Sequence, residues 1–177
     1  QTVEYWPGGT VFVSVVDPGV GSNRKSVVAH TKNGQYIVTP DNGTLTHIKK
    51  YIGIDEVREI SETTNRRKNT EASYTFHGRD VYAFTGALAC GKISFEEVGP
   101  EYGVEDVIEL PTVDTICTED SVKGAIDILD VRFGSLWTSI TREEFLSILP
   151  EYGERLEVSI FNHENLVYQN SVIYGRS

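Results

Sequence analysis

The stretch TVFVSVVDPGVGSNRKSVVAH, residues 10–30, decides how the chain is read. It opens on a Val-rich run, 10–16, whose weak alternation fits a buried strand. It closes on SVVAH, 26–30, a second strand. Between them lies DPGVGSNRKS, 17–26. Gly19, Lys25 and Ser26 stand at the spacing of a phosphate-binding loop, which needs glycines so that backbone N–H groups can approach the phosphates. Arg24 occupies the place of the second glycine, and its bulk blocks that approach. A strand rather than a helix follows. The loop is therefore a connection with an Asp at its start and an Arg near its end, seven residues apart.

Working outward, KNG at 32–34 is a turn signal, and QYIVT at 35–39 pairs with 26–30 as a hairpin. PDNG at 40–43 is a second tight turn. Residues 44–51 read as a short helix and 57–60 as a strand. The polar segment SETTNRRKNTEASY, 61–74, is a loop whose Arg66, Arg67 and Lys68 read as a solvated basic run. It feeds TFHGRD, 75–80. From Arg79 to Cys90, Val81, Phe84, Leu88 and the alanines fit one helical face, with Gly91 as its stop. Residues 94–106 form a Pro- and Gly-bearing connection, and ELPTV at 109–113 marks a boundary.

Beyond it the character changes. AIDILDV (125–131) and LWTSI (136–140) are strands joined around Gly134. TREEF (141–145) has the form of a capping box opening a helix that runs to about Leu149. LEVSIFN and LVYQNSVIY alternate as two further strands. The expected architecture is an α/β N-terminal domain, 1–112, with a central sheet flanked by helices, followed by an all-β barrel domain, 113–177.

The chain has 177 residues, 39% apolar and 24% charged, with a formal net charge of -10. This suits a globular protein of one or two domains. Its acidity disfavours nucleic acid and anionic membranes as partners. No apolar run reaches the ~18 residues of a membrane span. Cys90 and Cys117 lack a C-x-x-C pattern and read as buried free thiols of a reducing cytoplasm. The histidines, at 30, 47, 77 and 163, have no metal-ligand spacing.

Asp17, Arg24 and His77 fall on turns after strands or before a helix, where open α/β sheets line their ligand crevice. A carboxylate beside a guanidinium holds a fixed geometry, and a histidine can move or orient a proton. Together they can activate and aim a water molecule. The plainer reading is a turn-opening Asp, a surface Arg and a helix-capping His, and spacing alone favours it. DVRFGS, 130–135, with Trp137, suits either stacking on a flat heterocycle or a hairpin packed on its own aromatics.

VSVVDPGVGSNRKSVV, YIVTPDNGTLT, YTFHGRDVYA and DILDVRFGSLWTSI, in this order and near this spacing, resemble the S-adenosyl-L-methionine (SAM) hydroxide adenosyltransferases. These are adenosine-forming SAM hydrolases related to the fluorinase and chlorinase enzymes. The resemblance covers most of the chain. It implies an α/β domain and a β-barrel domain assembled as a homotrimer. The active site then lies between the N-terminal domain of one subunit and the C-terminal domain of its neighbour. It implies SAM as substrate, adenosine and L-methionine as products, no further cofactor, and a cytoplasmic setting. Asp17, Arg24 and His77 match the family's Asp–Arg–His set. Thr75, Phe76 and Gly78 would lie along the substrate, and Pro18 to Val20 along C5′. Asp130 and Phe133 match positions holding the amino acid and adenine ends.

Ser135 and Ser139 stand where relatives often carry Asn, and Ser135 is a shorter adenine contact. The halogenating relatives carry Tyr at the positions of Asp17 and His77, so the alternative of a SAM-dependent halogenase fits less well. A non-catalytic SAM- or adenosine-binding protein is the other alternative. The resemblance also implies that both domains are truncated, since the family opens with an Asp-bearing segment that binds the ribose and closes with a stretch completing the adenine pocket. The 177-residue chain by itself is therefore expected to be poorly active.

Overall fold

A computed structural model describes residues 2–175, apart from the side chain of Leu88. The expected burial of that side chain lies outside the described residues. The chain divides into two compact units, Gln1–Leu110 and Pro111–Ser177.

The first unit is built on a five-stranded mixed sheet. Its strands are β1 (Val11–Val13), β2 (Ser26–Thr31), β3 (Tyr36–Pro40), β4 (Ile54–Glu59) and β5 (Glu101–Tyr102). Their spatial order is β1-β3-β2-β4-β5. β1 runs parallel to β3, and the other neighbours are antiparallel. β2 and β3 form the expected hairpin, with Val28 opposite Val38. Gly34 turns it at φ 82°, a left-handed conformation that suits glycine.

β2 is central, so its valines face two cores. Val27 and Ala29 pack on one side with Ile37, Leu45, Ile54, Val57 and Val107. Val28 packs on the other with Val38, Ile60, Val81, Tyr82 and Val98. Each fully buried valine contributes about 1.5–3 kcal/mol. The first face is covered beside α1 (Thr46–Tyr51), through Leu45 and Ile48. The second is covered by a π-helical turn, Gly78–Tyr82, that continues into α2 (Ala83–Ala89).

Several elements differ from their sequence reading. The 10–16 strand pairs only over Val11–Val13, because the chain leaves the sheet edge towards the 17–25 loop; Ser14 N still donates to Val38 O at 2.9 Å. The 57–60 strand begins earlier, at Ile54. The 94–106 connection contributes β5, pinned by Glu59 N to Pro100 O at 2.9 Å. The basic run is not uniformly solvated: Arg66 is buried and ion-paired with Glu62 at 2.8 Å. Cys90 and Cys117 are free but exposed, not buried.

The second unit holds three antiparallel pairs: β6 (Ile116–Cys117) with β7 (Val122–Lys123), β8 (Ile126–Asp130) with β9 (Ser135–Thr138), and β10 (Arg155–Asn162) with β11 (Asn165–Ile173). Among the described residues of this unit, strand pairing occurs only within these three pairs. α3 (Arg142–Leu146) opens on the expected capping box. Thr141 Oγ1 accepts from Glu144 N at 3.2 Å, and Thr141 N donates to the Glu144 carboxylate at 2.7 Å. The helix ends before the expected Leu149, which takes a positive φ of 53°.

Candidate active site

The loop after β1 is folded back on itself. Asp17 opens a turn closed by Val20 N to Asp17 O at 3.3 Å. Ser22 Oγ donates to Gly19 O at 2.6 Å, and Asn42 Nδ2 from the PDNG turn donates to Val16 O at 2.9 Å. These local bonds return Arg24 to the start of the loop. Its Nε donates to Asp17 Oδ1 at 2.9 Å, and its Nη2 donates to Asp17 Oδ2, so the carboxylate is held by a two-pronged fork. Both side chains are almost fully buried, at 8% and 6% exposure.

His77 reaches the same point from a different part of the chain. It immediately precedes the π-helical turn, and its ring is buried. Arg24 Nη2 lies 2.9 Å from His77 Nδ1. A guanidinium only donates, so Nδ1 accepts and the ring of neutral His77 carries its proton on Nε2. The structure thus brings Asp17, Arg24 and His77 into one hydrogen-bonded set. The readings of Arg24 as a surface cation and His77 as a side-chain helix cap are both overturned: Arg24 is buried, and His77 makes no side-chain cap bond.

Three further residues, Tyr82, Ser26 and Glu62, complete the cluster. Tyr82 OH lies 3.5 Å from Asp17 Oδ2 and 3.2 Å from Ser26 Oγ. Arg24 Nη1 donates to Ser26 Oγ at 3.0 Å. The Glu62 carboxylate lies 3.6 Å from His77 Nε2 and accepts from Arg66 Nη1 at 2.8 Å. From sequence Tyr82 is a position inside the predicted 79–90 helix, and Ser26 is the start of a strand and the serine of a phosphate-loop spacing; neither reading points to this cluster. Glu62 sits in a polar loop with no periodicity to mark it.

Burial shapes the titration of these groups. It pushes the Tyr82 phenol up to about 12, so that OH stays a donor. Burial also lowers His77 below the ordinary imidazole value. Glu62 opposes this shift, while Arg24 and Arg66 add to it. For Arg24, burial acts to lower the pKa, but the hydrogen bonds to Asp17 and nearby negative charge outweigh it and the net shift is upward. The arrangement is a fixed carboxylate–guanidinium pair backed by a neutral imidazole.

The remaining candidate residues lie in two places. Pro18 and Val20 sit exposed on the Asp17 loop, and Thr75 and Phe76 sit exposed just before His77. Gly78 is partly buried: a Cβ there would meet Val15 Cγ1 at 2.8 Å, so the absent side chain permits close approach of the two segments. Asp130, Phe133 and Ser135 belong to the β8–β9 hairpin of the second unit, where Asp130 pairs across the ladder with Ser135. Phe133 is exposed at the tip, and Asp130 Oδ1 accepts from Arg132 N at 3.3 Å. An open cleft of about 480 Å³ in the first unit touches the Asp–Arg–His set only through Arg24; Ser26, Glu59 and Glu62 also line it. Among the described residues, no group of three or more His, Cys, Asp or Glu is placed to hold a metal ion, and no helix is long and apolar enough to cross a membrane.

Residues 1–99 match the model of the SAM hydroxide adenosyltransferase N-terminal domain. The chain belongs to the SAM hydroxide adenosyltransferase family. Among its relatives, an (R)-S-adenosyl-L-methionine hydrolase of Methanocaldococcus jannaschii is 37% identical over 163 residues, covering 92% of this chain and 53% of the relative. A hydrolase of the same name from Thermus thermophilus is 32% identical, covering 89% and 61%. A fluorinase of Actinopolyspora mzabensis is 27% identical, covering 87% and 58%. The chain spans about half the length of the curated relatives it matches. The crystal structure of a conserved protein from Thermotoga maritima superposes with a TM-score of 0.83 at 32% identity, covering 97% of this chain and 62% of that one. In this member of the SAM hydroxide adenosyltransferase family, Asp17, Arg24 and His77 all lie within the matched 1–99 segment.

Proposed function

We propose that the protein hydrolyses SAM to adenosine and L-methionine, with Asp17, Arg24 and His77 as its catalytic residues. Water attacks C5′, the C5′–S bond breaks, and its electron pair neutralises the sulfonium to give the thioether of methionine; the water proton is lost to the site or to solvent. The leaving group is already excellent. The protein's work is to hold and partly deprotonate a poor nucleophile, for which a positioned acid–base group supplies about 10²–10⁴-fold. The observation that carries this reading is the buried Asp17–Arg24–His77 set. A carboxylate at position 17 repels a halide and can accept a hydrogen bond from water.

In this reading Pro18, Val20, Thr75, Phe76 and Gly78 line the substrate, and Asp130, Phe133 and Ser135 hold its amino acid and adenine ends. Residues 1–112 are the α/β domain, and the three hairpins of 113–177 belong to a β-barrel domain. The protein works as a cytoplasmic homotrimer in which the barrel residues serve the neighbouring subunit's Asp–Arg–His set. SAM is the substrate, and no other cofactor takes part.

The test is to incubate the full-length protein with SAM, with and without chloride or fluoride, and to separate the products by chromatography. Adenosine and methionine regardless of halide are expected. A 5′-halo-adenosine would make it a halogenase, and SAM recovered bound but intact would make it a binding protein.

A further inference from the structure

His77 Nε2 is buried and has no hydrogen-bond partner among the described residues. A buried N–H left without an acceptor costs about 1–3 kcal/mol. Because Nδ1 is committed to Arg24, Nε2 is the nitrogen that carries the proton. The Glu62 carboxylate stands 3.6 Å from it, beyond hydrogen-bond length but within reach of a small side-chain rotation. Glu62 is itself steered there. Arg66, buried and anchored to Ser73 O at 2.8 Å, donates to the same Glu62 oxygen that faces His77. Ser26 Oγ, which also meets Arg24, lies 3.4 Å from the other oxygen.

From this geometry we infer that Glu62 is a positioning residue for the reaction: its carboxylate faces the Nε2–H that Arg24 leaves on His77, and so reinforces that tautomer and the Nδ1 lone pair on Arg24. The inference rests on the hydrolase reading for its catalytic meaning, but its structural content does not. It has a chemical consequence. With Nδ1 accepting from Arg24 and Nε2 protonated, neutral His77 has no free lone pair with which to take a proton from water. His77 then orients Arg24, and Arg24 holds Asp17, whose carboxylate is the group left to accept the water's hydrogen bond. The charged groups acting on His77 are Glu62, Arg24, Arg66 and Asp17, and the rings of Tyr74 and Tyr82 meet it edge-on at 6.0 and 6.4 Å. Of the two carboxylates among them, Glu62 acts the more strongly and favours the imidazolium.

The test is nitrogen NMR on the full-length protein with ¹⁵N-labelled histidine, without SAM, alongside kinetics. Wild-type His77 is expected as the Nε2–H tautomer. Glu62→Gln keeps an acceptor oxygen but loses the charge, so the tautomer should persist while the His77 titration midpoint moves down. Glu62→Ala should mix the tautomers and lower kcat by about tenfold or more, part of the usual acid–base contribution, with KM within about twofold. An Nδ1–H tautomer in the wild type, or a Glu62→Ala protein that keeps the pure wild-type tautomer, would overturn the inference. If Glu62→Ala does not fold, an unmoved midpoint in Glu62→Gln would overturn it instead. Absence of SAM hydrolysis by the parent, with the tautomers as expected, would remove the hydrolase reading alone.

Discussion

Replacing Arg24 by Met removes the fork from a carboxylate whose side chain is largely buried. Arg24 and Asp17 are 8% and 6% exposed, and Arg24 makes contacts to Asp17 through two nitrogens, to Ser26 and to His77. Without it, among the described residues the Asp17 carboxylate keeps the hydrogen bond from Tyr82 OH at 3.5 Å and no other. Breaking a buried pair by removing one partner costs about 3–5 kcal/mol, against about 0–1 kcal/mol for an exposed pair. With a urea m-value of about 2 kcal/mol/M, the unfolding midpoint of the full-length protein should fall by about 1.5–2.5 M. The double variant Asp17→Asn with Arg24→Met leaves no uncompensated charge and should recover most of that loss. Circular dichroism in urea reads both. A loss below about 1 kcal/mol in the single variant, or a double variant no more stable than the single, would refute the reasoning that the pair is buried and mutually dependent.

Asp17→Ala should lower kcat by about 10²-fold or more while calorimetry still detects SAM binding; if it and His77→Ala both turn over SAM at the parent rate, the assigned roles are wrong. Burial favours neutral His77 in the folded state, so its folded pKa lies below the ordinary value of about 6.5. Its contribution is complete above about pH 6.5 and is lost as pH falls towards the folded pKa, because the unfolded chain binds the proton first. The urea midpoint should therefore drop more steeply below pH 6.5 in the wild type than in His77→Gln, and equal slopes would contradict this. Gly99→Ala would put a Cβ 2.0 Å from the Glu59 carbonyl oxygen, which belongs to the backbone of β4 and cannot swing aside. A loss of about 1–3 kcal/mol or more is expected, and an unchanged midpoint would mean that the 99–100 segment does not lie against β4 as described.

Much of the fold is legible because its signals are local. Val27, Val28 and Ala29 declare a buried strand by their apolar, β-branched character, and Lys32-Asn33-Gly34 declares the turn that follows. Thr141 and Glu144 announce a helix start because the capping box is made within four residues. The strand ends are less legible. The Val-rich run continues to Val16, yet pairing stops at Val13, since where a strand leaves a sheet depends on what its partner offers. β5 is only two residues long, too short for a period, and it exists because Pro100 and Gly99 lie against β4.

The candidate site divides in the same way. By itself the sequence marks Asp17, Arg24 and His77 as candidates on turns beside predicted strands and a helix, and the joint order of its motifs points to the family. It does not determine that Arg24 is buried, since the same Asp and Arg seven residues apart would serve a solvated turn. Tertiary structure decides that point: β2 and the π-helical turn bring Ser26, His77 and Tyr82 around the guanidinium from 2, 53 and 58 residues away. It also decides the place of Glu62, whose polar neighbours give no pattern. Hydrophobic periodicity reports which side of an element faces the core, because burial acts on every turn or alternate residue. An electrostatic cluster needs only one side chain from each segment, so it leaves no period, and only the folded chain reveals which charges meet.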